Sequence, residues 1–186
     1  MRLFVALQIP DDVRERIAQL ICELKLLDNS WKWTRAENLH VTLKFLGETP
    51  QKKLKSVCDA LRSVSCELSI PVNFRGLGFF PNERRPRVLW IGMEAPQSLG
   101  ALAAGIEDAL ARVGVPREER PYAPHLTLAR SKEGRISEKF RPAFSSYFTR
   151  EFGTMNATAF HLIESKLKST GAEYTTLESF SDTSQN

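Results

Sequence analysis

Histidine and cysteine are scarce in this chain, with three of each in 186 residues. The cysteines, Cys22, Cys58 and Cys66, are odd in number and show no C-x-x-C spacing. That argues against a disulfide framework and fits a reducing compartment. Cys22 and Cys58 fall on the apolar stripes of expected helices, where a free thiol acts as a small hydrophobe. Long apolar runs are missing too. None approaches the roughly 20 residues that a membrane-crossing helix needs. The opening Met1 to Pro10 carries a short apolar run without a cleavage site, so it reads as a first strand and not as a signal peptide. The expectation is a cytoplasmic protein with no membrane contact. Strong charge bias is also absent: 26 Lys+Arg against 22 Asp+Glu give +4. That excess is compatible with a polyanionic partner and does not require one.

What is present is the composition of an ordinary globular protein, 42% hydrophobic and 26% charged. A chain this long buries about 70% of the surface its unfolded form exposes, so it needs no covalent staples. One domain over residues 1–186 is expected, with a polar tail at 181–186 that frays. Residues 2–9 read as a buried strand. Asp11 or Asp12 is expected to cap a helix with its stripe at Val13, Ile17, Leu20, Ile21 and Leu24. A short β piece at 31–34 precedes a strand at 40–46. Thr49 as cap and Pro50 at the first helical position open a second helix, striped by Leu54, Val57, Cys58, Leu61 and Val64. Strands at 67–75 and 87–94 flank a Gly- and Pro-punctuated link, 76–86. A helix at 97–113, a loop at 114–124, a strand at 125–130, a helix near 137–147, strands within 151–166 and a last strand at 173–180 follow.

Two of the three histidines stand in the same tetrad, His40-Val41-Thr42-Leu43 and His125-Leu126-Thr127-Leu128, 85 residues apart. On a strand, side chains alternate with period 2, so each His and Thr share a face, roughly 6–7 Å apart. The apolar residues between them point to a core. Helices and strands alternate in similar order around each tetrad, which reads as an internal duplication and not a solenoid. The two motif strands are expected side by side near a pseudo-two-fold axis.

Two imidazoles facing one pocket can divide general acid and general base work, because imidazole titrates near neutral pH. Threonine hydroxyls can donate hydrogen bonds to non-bridging phosphate oxygens, where charge resides in phosphoryl transfer. No metal is required. Two distant histidines without an acidic partner at fixed spacing are not a recognisable ligand set.

These motifs resemble those of the 2H phosphoesterase superfamily, and more narrowly of the RNA 2′,3′-cyclic phosphodiesterases, also called 2′-5′ RNA ligases. The resemblance spans nearly the whole chain. It rests on Met1 to Leu7, on Glu37 to Glu48 around the first tetrad, on Pro86 to Trp90, on Pro124 to Arg130 around the second, and on Glu164 to Leu167 and Gly171 to Tyr174. It implies an α+β, bilobal, duplicated fold: two β-α-β-α-β-like halves with antiparallel sheets flanking a central cleft and helices outside. It implies hydrolysis of a 2′,3′-cyclic phosphate at RNA 3′ ends to a 2′-phosphate, with no cofactor. His40 would be the proton donor, His125 the proton acceptor, and Thr42 and Thr127 would hold the phosphate oxygens. Reverse 2′-5′ ligation follows from microscopic reversibility. The implied partner is RNA ending in a cyclic phosphate, such as a cleaved tRNA half, and a monomer is the default expectation.

Arg130 is a further substrate-binding candidate. A regular strand would turn it away from His125, and a bend or bulge would bring it round. Parity puts Lys44 on the cleft face and Phe45 in the core. Tyr122 is a candidate for stacking on a terminal base, with loop packing as the alternative. Arg84, Arg85 and Arg87 read either as a solvated loop or as RNA-backbone contacts. Arg117 and Arg120 are similar, but Glu118 and Glu119 dilute their charge. His161 lacks the threonine two residues on and reads as structural. Trp31, Trp33 and Trp90 read as core or cleft wall. Two other functions remain open at this point: a non-catalytic RNA-end-binding module, and a 2H phosphodiesterase for a small cyclic nucleotide.

Overall fold

The computed structural model describes residues 1–64, 69–169 and 171–181. Cys66, the first residues of the strand expected at 67–75, and the tail beyond Ser181 lie outside the described residues. Strand β1 (Arg2–Gln8) leads to helix α1 (Asp11–Leu27), the short β2 (Lys32–Trp33), β3 (His40–Glu48), α2 (Leu54–Arg62) and β4 (Ile70–Phe80). Then come β5 (Val88–Glu94), α3 (Gln97–Arg112), β6 (His125–Arg130), α4 (Phe140–Phe144), β7 (Glu151–Ala157), β8 (Ala159–Lys168) and β9 (Gly171–Ser181).

The α+β class and the duplication are as expected. The strands join in one curled antiparallel sheet of order β7-β4-β5-β6-β3-β1-β8-β9, with β2 added to β6. The two halves of the sheet meet where β3 pairs with β6 at Val41 and Leu126, so the motif strands are neighbours. Around that seam the order is mirrored: β3 and β6, β1 and β5, β8 and β4, β9 and β7.

The halves of the sheet are not the halves of the sequence. β4 and β5, from the first half of the chain, extend the side that holds β6, and β8, from the second half, lies beside β1 with β9 beyond it. The stretch expected as strand over 151–166 divides at Thr158, and its two pieces go to opposite sides of the seam. Helices cross over as well. α1 packs on β7, where Gly153, at φ 125°, lets Val13 and Arg16 approach so closely that a Cβ would meet Arg16 at 2.5 Å. α3 covers β3, and α2 packs on α3 and β9.

Alternation along β1 shows what this does. Leu3, Val5 and Leu7 are fully buried in the main core under the helices. Phe4 and Ala6 point to the other face and form a small second cluster with Ile163 and Tyr174. Thus β1 is covered on both sides, and the motif strand beside it has an open face floored by aromatic side chains.

Some local expectations need correction. Neither Asp11 nor Asp12 caps α1. Pro10 occupies the cap position, and the two acids lie in the first turn, paired with Arg14 and Arg16. Thr49 does not cap the second helix, whose first turn is a 3₁₀ turn at Gln51–Lys53 after Pro50. Cys22 is exposed, off the α1 stripe, while Cys58 is buried. The link expected at 76–86 starts later, since β4 runs on through Gly76 and Gly78 to Phe80. Packing overrides glycine's low strand propensity here. The Trp90 indole lies over Gly78, where an added Cβ would come within 2.2 Å of the ring. The helix near 137–147 is shorter, a single turn at Phe140–Phe144 followed by a 3₁₀ turn.

Candidate active site

In both motif strands the intervening residues are buried: Val41, Leu126 and Leu128 at 0% exposure, and Leu43 at 5%. His40, Thr42, His125 and Thr127 are half-buried on the opposite, open face. The antiparallel pairing at Val41 and Leu126 sets each tetrad against the other.

The two imidazoles are held in the same way. His40 Nδ1 lies 2.7 Å from the carbonyl oxygen of Asn38, and His125 Nδ1 lies 2.8 Å from that of Ala123. A carbonyl only accepts, so each Nδ1 carries the hydrogen and donates it. Nε2 is left as the nitrogen available for chemistry. The anchoring carbonyl stands two residues before the histidine in both cases, so the duplication includes the tautomer-fixing contact. Aromatic rings fix the imidazole planes. Phe4 lies 4.8 Å and Tyr174 5.3 Å from the His40 ring, and Phe80 meets His125 edge-on at 5.0 Å.

This environment lowers the pKa of both histidines. For His40 the main cause is burial, opposed by the Asn38 carbonyl and assisted by the charges of Arg130 and His125. For His125 it is burial again, opposed by the Ala123 carbonyl and assisted by Arg130. The two imidazoles are therefore close enough for one to sense the other's charge, and a single arginine acts on both.

Arg130 reaches the site through a bulge. In the β5–β6 ladder Leu89 pairs with Ala129 and Trp90 with Thr127, which leaves Leu128 as the extra residue. The skipped residue reverses parity, so Ala129 goes into the core and Arg130 emerges on the His125 side. The β1–β3 ladder has the same irregularity: Val5 pairs with Lys44 and Ala6 with Thr42, leaving Leu43 extra.

That second bulge overturns the parity argument for Lys44 and Phe45. Lys44 turns into the protein, 2% exposed, and bonds Glu107 of α3 at 2.9 Å and the Pro116 carbonyl at 2.8 Å. It is no part of the open face. Phe45 takes its place there, 54% exposed and 6.2 Å from Phe4. Tyr122 also differs from expectation. Its ring packs against the main core and its hydroxyl is buried, with burial raising its pKa. Its half-buried ring packs the loop against the core.

The remaining candidates sort simply. His161 Nδ1 contacts the Ser179 hydroxyl at 2.9 Å, across β8 and β9. Trp31 is in the core, and the half-buried Trp90 shares a face with its ladder partner Thr127. Among the described residues no three His, Cys, Asp or Glu side chains are grouped as a metal site. The aromatic collar of Phe4, Phe80 and Tyr174 was not legible as site structure. Only the pairing of β1, β4 and β9 around the motif strands brings it to the histidines.

The sequence matches the family described as LigT like Phosphoesterase twice, over residues 7–90 and 91–174, so each copy holds one tetrad. The chain belongs to this phosphoesterase family. Among relatives of the LigT-like phosphoesterase, a Methanothermobacter thermautotrophicus protein named RNA 2′,3′-cyclic phosphodiesterase is 32% identical, covering 97% of this chain and 98% of the relative. An Archaeoglobus fulgidus protein of the same name is 34% identical, covering 97% and 99%. A Thermus thermophilus crystal structure superposes with a TM-score of 0.80 at 32% identity, covering 97% of both chains. Escherichia coli LigT complexed with 3′-AMP superposes at 0.78 with 27% identity over 98% of each chain.

Proposed function

We propose that this LigT-like phosphoesterase is an RNA 2′,3′-cyclic phosphodiesterase, opening a terminal cyclic phosphate to a 2′-phosphate. The observation that carries the reading is the paired, identically anchored imidazoles, each with Nε2 free and each beside a threonine hydroxyl. The cyclic phosphorus sits between them. His125 Nε2 takes a proton from water as its oxygen attacks phosphorus. The bond from phosphorus to the 3′ oxygen breaks, and that oxygen takes a proton from His40 Nε2. Thr42 and Thr127 donate to the non-bridging oxygens, and Arg130 balances their charge. With an RNA 5′-hydroxyl in place of water, the same steps make a 2′-5′ linkage.

The chain acts on cleaved RNA ends as a cytoplasmic monomer in this reading. The free thiols at Cys22 and Cys58 support a reducing compartment, and no helix of the described residues is long and apolar enough to cross a membrane. The deciding experiment is hydrolysis of a short RNA ending in a 2′,3′-cyclic phosphate, with EDTA present, by wild type, His40→Ala and His125→Ala. Wild type yields a 2′-phosphate, and each variant loses at least about 100-fold in rate. Binding without turnover by wild type makes the chain an RNA-end-binding module instead.

A further inference from the structure

Many arginines on this surface are neutralised locally. Arg16 pairs with Asp12, Arg62 with Glu178, Arg75 with Glu94, Arg117 with Asp108 and Arg150 with Glu23. One group is not. Arg84, Arg85, Arg87 and Arg135 line a single cavity of about 320 Å³ together with Glu133 and Gly134. None of the four has a carboxylate partner among the described residues. Like charges converging on one cavity repel, and Glu133 offsets only part of that.

The cavity is built from ordered turns. The Asn82 side-chain oxygen accepts from the backbone N–H of Arg84 at 3.0 Å and of Arg85 at 3.2 Å, which shapes the β4–β5 connection. Arg87 donates through its guanidinium to the Lys132 carbonyl, tying that connection to the segment after β6. The Ser131 N–H donates to the Arg87 carbonyl at 2.9 Å, and Val88 is the ladder partner of Arg130. The cavity therefore begins next to the arginine that acts on both catalytic imidazoles.

The equivalent place across the pseudo-two-fold axis is different. There Arg2 is paired with Glu48 at 3.5 Å, and Phe45 stands where Arg130 stands in the other copy. The duplicated site thus has one electropositive end and one neutral, aromatic end. A single scissile phosphate, already served by Arg130, Thr42 and Thr127, does not account for four more arginines. A chain of phosphates does, because guanidinium forks match phosphate oxygens and each neutralised phosphate releases counterions.

We propose that the Arg84, Arg85, Arg87 and Arg135 cavity is a second phosphate subsite, which grips the RNA backbone upstream of the cyclic terminus. It makes the enzyme select an oligonucleotide over a cyclic mononucleotide. The inference rests on the RNA-end reading above, and its test separates the two.

The test compares wild type with the triple variant R84A/R85A/R135A, leaving Arg87 as the turn's brace. Substrates are a ten-nucleotide RNA with a 2′,3′-cyclic end and 2′,3′-cyclic AMP, each across a range of NaCl. The expected result is a KM for the RNA raised roughly tenfold or more in the variant, with kcat unchanged. The slope of log kcat/KM against log salt flattens by roughly 2, about 0.7 for each single-strand phosphate that is no longer neutralised. Hydrolysis of the cyclic mononucleotide serves as the reference and changes less than twofold. Equal losses on both substrates, or an unaltered salt slope for RNA, overturn the subsite. A parallel anisotropy titration uses a labelled RNA with an ordinary 3′-hydroxyl. If wild type hydrolyses neither substrate yet the variant still binds that RNA about tenfold more weakly, the subsite stands and the enzymatic reading falls. Equal RNA binding by variant and wild type overturns the subsite whatever the activity.

Discussion

Phe45 and Arg130 are equivalents in the duplicated fold. Each stands three residues after a motif threonine, and each is turned onto the site face by one skipped residue, Leu43 or Leu128. The two bulges preserve the geometry of the copies, while the side chains at the equivalent positions have diverged. One copy supplies a cation to the site and the other supplies an exposed ring.

Arg130 is expected to set the pH profile. With the proposed roles, the acid limb of kcat/KM reports the base, His125, and the alkaline limb reports the acid, His40. Burial and Arg130 hold both below the ordinary histidine value of 6.5, so the optimum for the free enzyme lies on the acid side of that value. Replacing Arg130 by Gln removes a cation that disfavours imidazolium, so both limbs move to higher pH. The rate at the optimum falls by about 100-fold with the phosphate contact gone. A profile that stays put or moves to lower pH would show that Arg130 does not sense the imidazoles.

Thr42→Val and Thr127→Val each remove a hydroxyl while keeping the branched shape that suits a strand. Each is expected to lower kcat by about 100-fold, the cost of one oxyanion donor. Thermal midpoints should change little, because no protein group among the described residues bonds either hydroxyl. Unaltered kcat in both variants would remove the threonines from the phosphate cradle.

Lys44→Met tests the inward turn of Lys44. It leaves Glu107 without its cation at a site where Lys44 is 2% and Glu107 19% exposed. The expected loss is about 3 kcal/mol, the lower range for a broken buried pair. For a chain of this size that lowers the melting temperature by roughly 6–12 °C. The double variant Lys44→Met/Glu107→Leu should recover much of it, since an apolar pair of similar volume is tolerated there. A Lys44→Met protein as stable as wild type would mean that the residue faces solvent.

Gly78→Ala places a methyl group where the Trp90 ring lies, at 2.2 Å from its carbons. Overpacking of this kind costs about 1–3 kcal/mol and displaces the indole. Trp90 touches Phe80, which buttresses His125, so hydrolysis should fall along with stability. Adding Trp90→Leu should restore stability more than activity. Full activity in Gly78→Ala would detach this aromatic row from catalysis.

Local chemistry in the sequence was enough to place the candidate groups on one face. Period-2 alternation places each histidine beside its threonine and buries the residue between them, and the repeat of that pattern reveals the duplication. The helical stripe of α1 was readable for a similar reason, since apolar spacing follows from helix geometry. Lys44 and Phe45 were misplaced because parity assumes a regular strand. A bulge depends on how the neighbouring strand pairs, which no run of residues encodes by itself. Phe4, Phe80 and Tyr174 read as ordinary apolar or loop residues. They reach the histidines only because β1, β4 and β9 assemble around the motif strands from distant parts of the chain. Two imidazoles and two hydroxyls on matched strand faces were thus written into the order of residues, because the alternation of side chains is a local property. The exchange of strands across the seam, the bulges that turn Arg130 toward His125 and Lys44 away from it, and the carbonyls that fix both imidazole tautomers came from the assembled fold. Each of these depends on long-range pairing and burial.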